Sequence, residues 1–315
     1  MINQHVAYML RYRRRMIMAK IGLTVHEIRI NKGLTQKEVY AGIVSRSFAN
    51  RFEKGLNDIS ASKLFSILDN LAVSLDEFRF ISQNYQSAPY DQALLFITQK
   101  YAAQDFMAIS EWVHTHEKSP YSYDKLVSSY ATILLTTYEN GTVGITPATY
   151  DIYQHLQSTP MWTTQELKVV NVIIPMVATT SGIKALDEFT VKMEENCGRY
   201  QTDLGDPFDV LNSLIEFYGV LMQTYLNFED YQRATKIGSK LTAIGAKKMN
   251  WDGILAKQFW LGIWELYFGD WLKGNQLLDE VINLEKRQSP RIDNTLLTIY
   301  KVRLKAATKY RQKRT

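Results

Sequence analysis

The chain of 315 residues contains one cysteine, Cys197, and only five histidines. A single cysteine excludes a disulfide within the chain and any cysteine-rich zinc site. The sequence also lacks a phosphate-cradling glycine loop, a nucleophile elbow and a paired-carboxylate motif. We therefore predict that the protein is not an enzyme, has no cofactor or metal site, and works in the reducing cytoplasm.

Long apolar runs are missing as well. The most apolar stretch, residues 169–178, contains Asn171 and Pro175 and is far shorter than the roughly 18 residues that span a membrane. The basic N-terminus is followed by no apolar core and no small-residue cleavage site. The sequence predicts neither a membrane segment nor a signal peptide.

Positive charge is concentrated at the two ends of the chain. Residues 1–80 contain 13 Lys and Arg against 7 Asp and Glu, whereas the formal net charge of the whole chain is only +5. The last 15 residues add seven cations and no acid. This distribution suggests a small module that binds a polyanion, joined to a nearly neutral one, although solubility alone would also explain it.

Residues 22–80 are predicted to form five short helices. Thr35 is followed three residues later by Glu38, and Ser74 by Glu77, which is the pattern of a capping box at a helix start. Ser45 can cap a further helix, as can Ser60. Apolar residues at helical spacing should pack into one core: Leu64, Ile67, Leu68 and Leu71 against Ile28, Val39, Phe48 and Phe52.

The segment SQNYQSAPY, residues 82–90, is polar and ends near a proline, which marks a domain boundary. We predict a helix-turn-helix domain over residues 22–81, a linker over 82–90 and a helical domain over 91–315. Residues 1–21 would be a basic arm or extra residues, and translation from Met16 or Met18 remains an open alternative.

The segment from Leu34 to Gly55 has the pattern of a helix-turn-helix. Its first helix runs from about Gln36 to Ala41, Gly42 permits the sharp turn, and a second helix follows Ser45. Phe48 and Phe52 of that second helix would face inward.

The outward face of the second helix is predicted to bind double-stranded DNA. Arginine can pair with guanine O6 and N7, and asparagine with adenine N6 and N7, in the major groove. Gln36 is placed for a phosphate oxygen. The predicted DNA-binding residues are Gln36, Ser45, Arg46, Ser47, Asn50, Arg51 and Lys54. A polar, solvated helix face is the alternative interpretation.

Beyond residue 90 the chain is predicted to be a helical-repeat solenoid. Phe228-Glu229-Asp230-Tyr231 and Phe268-Gly269-Asp270-Trp271 stand 40 residues apart, and Gln104-Asp105-Phe106 resembles them. Aromatic residues beside an aspartate at a tight turn, repeated at this period, are typical of degenerate tetratricopeptide-like hairpins. An irregular helical bundle is the alternative.

The N-terminal segment resembles a known family. Residues 22–80 are similar to the XRE helix-turn-helix family, and residues 42–68, GIVSRSFANRFEKGLNDISASKLFSIL, resemble its Rgg group. The resemblance implies an all-α protein: a lambda-repressor-like five-helix domain followed by a tetratricopeptide-like domain. It also implies a homodimer that regulates transcription, senses a short pheromone peptide, and touches DNA through Gln36, Arg46, Ser47 and Arg51.

Polar and aromatic residues of the second domain are candidates for a peptide site. Asn171 and Gln223 interrupt very apolar helices and must find polar partners. Trp260 and Trp264 share a helix face and could line a ligand surface or a core. The basic segment from Lys301 onwards is predicted to be a solvated helix end.

Two functions fit these observations. The first is a sequence-specific transcriptional regulator controlled by a peptide that binds the helical domain. The second is a DNA-binding interaction module, such as an antitoxin or an adaptor, whose helical domain binds a protein partner.

Overall fold

The computed structural model describes residues 20–140, 146–287 and 295–313. These ranges are mainly helical, and their only strand-like pairing is one isolated bridge between Thr202 and Gly205. None of their helices is both long and apolar enough to cross a lipid bilayer. A boundary between Gln92 and Ala93 divides the chain into an N-terminal and a C-terminal unit.

The N-terminal unit contains the five predicted helices. They are α1 (residues 20–31), α2 (Gln36–Tyr40), α3 (Arg46–Glu53), α4 (Ala61–Leu71) and α5 (Leu75–Ser82). The predicted linker, residues 82–90, overlaps the last residue of α5 and the first residues of the next helix, which begins at Pro89. The predicted arm, residues 1–21, lies outside the described residues except for its last two.

The predicted core of this unit is confirmed. Ile67, Leu68 and Leu71 of α4 are buried together with Val39 and Phe52, and the other predicted members, Ile28, Phe48 and Leu64, pack against them. The apolar residues of α4 recur every three to four positions and so lie on one face of the helix. Each turn of α4 therefore places an apolar side chain in the core.

The helix starts follow the predicted caps at Thr35 and Ser45, whereas the predicted capping box at Ser74 forms only its hydroxyl half. Thr35 and Glu38 form a reciprocal capping box, while Ser45 and Ser74 each accept a hydrogen bond from a backbone amide of the helix that follows. The prediction for Ser60 was wrong, because its hydroxyl makes no cap and lies 3.2 Å from the hydroxyl of Ser62 instead.

The described part of the C-terminal unit is mainly helical. Its helices are α6 (Pro89–Ala102), which begins just before the boundary, α7 (Phe106–His116), α8 (Ser122–Asn140), α9 (Pro147–Ser158), α10 (Thr164–Val169), α11 (Ile174–Thr180), α12 (Ala185–Tyr200), α13 (Val210–Asn227), α14 (Tyr231–Ala243), α15 (Trp251–Phe268), α16 (Trp271–Arg287) and α17 (Thr295–Gln312). A short 3-10 helix, Val170–Ile173, connects α10 to α11.

Each of the repeated aspartates lies at the start of a helix, and two of these helices are the second helix of a hairpin. Asp105 caps α7, Asp230 caps α14, and the Asp270 carboxylate accepts from the amide of Lys273 in α16. The hairpins α13–α14 and α15–α16 and the turn between α6 and α7 therefore share one turn chemistry, in which a carboxylate satisfies a free amide at the helix start. This confirms the interpretation of the repeats as helical hairpins.

Two tryptophans of α15 pack into gaps left by glycines. The indole of Trp260 occupies the space where a Cβ atom at Gly219 of α13 would lie, and Trp264 does the same at Gly238 of α14. Trp260 is buried, and the Trp264 Nε1 donates to the Thr235 carbonyl at 2.9 Å. These contacts set how closely the α13–α14 hairpin approaches α15.

The prediction of a solvated helix end was wrong for two arginines of α17. Arg303 donates to the Gln223 carbonyl at 3.3 Å and to the Asn227 Oδ1 at 2.8 Å, at the end of α13. Arg311 donates to three carbonyls around the end of α15, those of Glu265, Leu266 and Gly269. Their guanidinium groups therefore bind oxygen atoms at the C-terminal ends of two other helices, where cations are favourably placed.

Substitution of Gly219 by alanine should destabilise the C-terminal unit by about 1–3 kcal/mol, because the added methyl group overpacks the contact with Trp260. The matched control is Gly198→Ala on α12, where nothing lies within 4 Å of the added atom. That change should stabilise its helix by about 0.5–1 kcal/mol.

Denaturant unfolding followed by tryptophan fluorescence measures both effects, since all six tryptophans lie between residues 112 and 271. Equal effects of the two variants would show that the Trp260 contact does not constrain the packing of α13 on α15.

Candidate nucleic-acid interface

The turn between α2 and α3 follows the sequence prediction. Gly42 has a φ of +76°, a left-handed conformation in which a side chain would be strained. Ser45 then caps α3 by accepting a hydrogen bond from the Phe48 amide at 3.3 Å. These two local features fix where the second helix begins.

Helix α3 has one exposed and one buried face. The predicted DNA-binding residues on or beside it are all exposed: Ser45, Arg46, Ser47, Asn50, Arg51 and Lys54. On the opposite face Ala49 and Phe52 are buried, and the Phe48 ring lies 6.4 Å from that of Phe52. The structure thus brings the predicted base-reading side chains together on one polar surface, which carries three cations.

The buried face of α3 ends in a carboxylate, Glu53, that accepts hydrogen bonds from two other helices. Arg29 of α1 donates through Nε at 2.6 Å and through Nη2 at 2.9 Å. The Tyr40 hydroxyl and the Gln36 Nε2 of α2 each donate at 2.9 Å, and the His26 Nδ1 lies at 3.0 Å. Glu53 therefore joins α1, α2 and α3 at one point.

This environment keeps Glu53 ionised. Burial raises the pKa of its carboxyl group, but the hydrogen bonds from Arg29, Gln36, Tyr40 and His26 outweigh burial and lower the pKa from 4.5 to about 2. The same contact raises the pKa of the Arg29 guanidinium. A charged pair is consequently retained inside the domain at neutral pH.

Gln36 is placed differently from the other predicted DNA-binding residues. It is half-buried at the start of α2, and its Nε2 donates to the Asn50 Oδ1 at 3.0 Å as well as to Glu53. The amide group therefore points towards α3. A concavity of about 580 Å³ beside it is bordered by two cations, Lys37 and Arg46.

Neither the role of Glu53 nor the close approach of α1 was predicted from the sequence. A Cβ atom at Gly22 would overlap the backbone carbonyl of Phe52, so only glycine allows α1 to pack this close to the end of α3. An acid that follows Phe52 on an otherwise apolar face, with Arg29 in a neighbouring helix, was the signal that could have revealed the buried pair.

Three of the four candidate ligand residues lie on or next to α13, Trp264 contacts α14, and both tryptophans are used for packing. Trp260 and Trp264 fill the glycine gaps described above. Gln223 is half-buried on α13. The Asn171 Oδ1 is buried in the short 3-10 helix and has no hydrogen-bond partner within the described ranges.

A cleft of about 270 Å³ lies between α8, α9 and α10 of the C-terminal unit. Its lining combines Tyr123, Lys125, Asp151 and Gln165 with the His155–Glu166 pair, whose atoms are 2.9 Å apart. No group of three or more potential metal ligands occurs in the described part of the chain. The cleft thus offers both donors and acceptors to a small polar group.

Glu53→Gln should destabilise the N-terminal unit by about 3–5 kcal/mol, because the buried Arg29 would lose its counter-charge. Hydrogen exchange of the amides in residues 20–82 measures this loss. The control is Glu77→Gln, an exposed acid in the first turn of α5, which should cost less than about 1 kcal/mol.

The pH dependence has a definite sign. Since the pKa of Glu53 is lower in the folded protein, its contribution is present above pH 4.5 and is lost as the pH falls towards 2. Far-UV circular dichroism reports the unfolding of both units, whereas tryptophan fluorescence reports the unfolding of the C-terminal unit alone. A transition seen only by circular dichroism therefore measures the loss of stability of the N-terminal unit. A wild-type pH profile that matches the profile of Glu53→Gln would contradict the assignment.

Comparison with known proteins agrees with this geometry. Residues 25–78 match the family model described as helix-turn-helix. This range begins in α1 and ends in α5, so it includes α2, α3 and the Glu53 contacts.

Three solved structures resemble the chain over more than nine tenths of its length. A candidate transcriptional regulator of Listeria monocytogenes EGD-e is 21% identical, with a TM-score of 0.70, and the match covers 93% of this chain and 99% of that one. The SHP pheromone receptor Rgg2 of Streptococcus dysgalactiae is 14% identical, with a TM-score of 0.64 and coverages of 93% and 99%. A bacterial peptide pheromone/receptor complex, studied for its mechanism of gene regulation, is 13% identical, with a TM-score of 0.57 and coverages of 92% and 98%.

At these identities the matches establish a shared fold. The sequence-based assignment of the fold is confirmed: residues 25–78 are a DNA-binding helix-turn-helix domain, and the chain has the all-helical fold of the Rgg-type regulators.

Proposed function

We propose that this protein is a sequence-specific transcriptional regulator that binds DNA as a homodimer and is controlled by a short peptide. The exposed face of α3, with Arg46, Ser47, Asn50 and Arg51 on a helix held by Glu53, is the observation that carries the proposal. Arginine and asparagine side chains on a rigid helix can discriminate base pairs in the major groove.

A homodimer would place two copies of α3 in successive major grooves of a pseudo-palindromic site, about 34 Å apart. Arg46 and Ser47 begin α3, the part of a recognition helix that approaches base edges, and Asn50 lies one turn after Arg46 on the same face. Lys54 follows the helix end and is better placed for the phosphate backbone.

Peptide control is the second part of the proposal. The similar structures include a pheromone receptor and a peptide pheromone complex, and the C-terminal unit has a polar cleft and an unpaired buried carbonyl group at Asn171. A peptide would change transcription only if it binds one dimer geometry more tightly than another. Catalysis plays no part in this function.

The double variant Arg46→Ala, Asn50→Ala should lose sharp genomic binding sites. Each substitution should reduce the free energy of binding to the specific site by about 1–3 kcal/mol if the side chain contacts base edges. Chromatin precipitation with sequencing measures this, with Lys63→Ala, an exposed cation on α4, as the charge-matched control.

Wild-type peaks should share a two-fold symmetric motif and should persist in Lys63→Ala. Peaks that survive unchanged in the double variant would exclude α3 as the reading helix. Equal losses on specific and random DNA would identify phosphate contacts instead.

Asn171→Leu should abolish the response to peptide while leaving stability and DNA binding intact. The Asn171 Oδ1 has no hydrogen-bond partner within the described residues, so its removal should change the free energy of unfolding only slightly. A reporter driven by the operator, exposed to spent and to fresh culture medium, measures the response.

The control is Asn283→Leu, which changes an exposed asparagine on α16. A wild-type protein that does not respond to spent medium would refute peptide control. A response retained in Asn171→Leu would remove Asn171 from the ligand surface.

A further inference from the structure

Glu53, Gln36 and Asn50 form a chain of hydrogen bonds that runs from the buried core to the exposed face of α3. The Gln36 Nε2 lies 2.9 Å from the Glu53 Oε2 and 3.0 Å from the Asn50 Oδ1. Glu53 is buried and Asn50 is exposed. The chain therefore connects a fixed internal charge to a side chain that can meet DNA.

The orientation of each amide follows from the chemistry of its neighbour. An ionised carboxylate only accepts hydrogen bonds, so the end of Gln36 that faces Glu53 must be its NH₂ group. The carboxyl pKa of about 2 keeps Glu53 ionised at neutral pH. The same NH₂ group faces Asn50, so the Asn50 atom that it meets must be the oxygen.

Both N–H bonds of Gln36 are used by this arrangement, one for Glu53 and one for Asn50. A side-chain contact from Gln36 to a phosphate, as the sequence alone suggested, would require one of these bonds to break. Gln36 is therefore a positioning residue, which acts on DNA through Asn50.

The consequence for Asn50 is a fixed polarity. Its Oδ1 is turned towards α2 and accepts from Gln36 with one of its two lone pairs, whereas its Nδ2 group lies on the other side of the amide and can donate outwards. We infer that Asn50 meets the operator as a hydrogen-bond donor, with its orientation imposed by Glu53 through Gln36, and that it selects a base with an acceptor on the major-groove edge.

This inference rests on the proposed function and adds a rule for one operator position. Guanine, adenine and thymine each offer an acceptor in the major groove, whereas cytosine offers the N4 donor. Asn50 should therefore exclude cytosine. The bidentate contact with adenine that the sequence suggested would use the second lone pair of the Asn50 Oδ1 together with the Nδ2 group.

The test is selection of bound sequences from a random double-stranded DNA library with the full-length protein. Wild type should deplete cytosine at one position of each half-site. Asn50→Asp has the same shape but only accepts, so it should enrich cytosine there by about tenfold. Gln36→Met removes the orienting donor and should make that position indifferent to the identity of the base.

Asn31→Asp is the control for charge, because it adds one negative charge at an exposed position of α1. Cytosine enrichment with this variant would attribute the effect to charge and overturn the inference, as would an unchanged preference in Asn50→Asp or Gln36→Met. A wild-type selection without any motif would instead refute the proposed function itself.

The orientation of the Gln36 and Asn50 side-chain amides can also be measured in the absence of DNA. In protein labelled with ¹⁵N at asparagine and glutamine side chains, the Gln36 NH₂ protons should exchange slowly with water and the Asn50 NH₂ protons rapidly. Slow exchange at Asn50 combined with rapid exchange at Gln36 would show the opposite orientation and overturn the inference.

Discussion

The Glu53 carboxylate is buried beside Phe52, and burial of a charge costs free energy unless polar partners replace water. Those partners come from the two helices that precede α3, so the domain satisfies Glu53 only when all three helices are in place. Arg29 also donates to the Leu34 carbonyl at 2.9 Å, which holds the turn before α2. The position of the recognition helix thus depends on one ion pair and its surrounding hydrogen bonds.

The apolar contacts around this ion pair supply most of the stability of the domain. They depend less on direction than hydrogen bonds do, so they do not fix the position of α3 in the same way. Phe52 lies edge-on to the Tyr40 ring at 6.5 Å, and the Tyr40 hydroxyl reaches Glu53. One aromatic side chain therefore contributes both apolar surface and a hydrogen bond. Gly22 completes the arrangement, because a larger residue would push α1 away from α3 and lengthen the Arg29–Glu53 contact.

The C-terminal unit uses a different principle, in which local turns define the hairpins and side-chain shape determines how they stack. Asp105, Asp230 and Asp270 act within a few residues of their own positions. Trp260 and Trp264 act across helices, in gaps that only glycine leaves open. Arg303 and Arg311 of α17 donate hydrogen bonds to oxygen atoms at the ends of α13 and α15. The last helix is therefore part of the packed structure.

The sequence by itself determined the helices, their caps and the outward face of α3, because each of these depends on residues within one or two turns of one another. Thr35 with Glu38, Gly42 and Asp230 illustrate this local control. The tertiary structure alone decided which polar groups meet across long separations: Glu53 with Arg29, Gln36 with Asn50, and Arg303 with the end of α13. Such pairings depend on how helices approach one another, and helical periodicity indicates which face is buried but not which residue of a distant helix lies opposite.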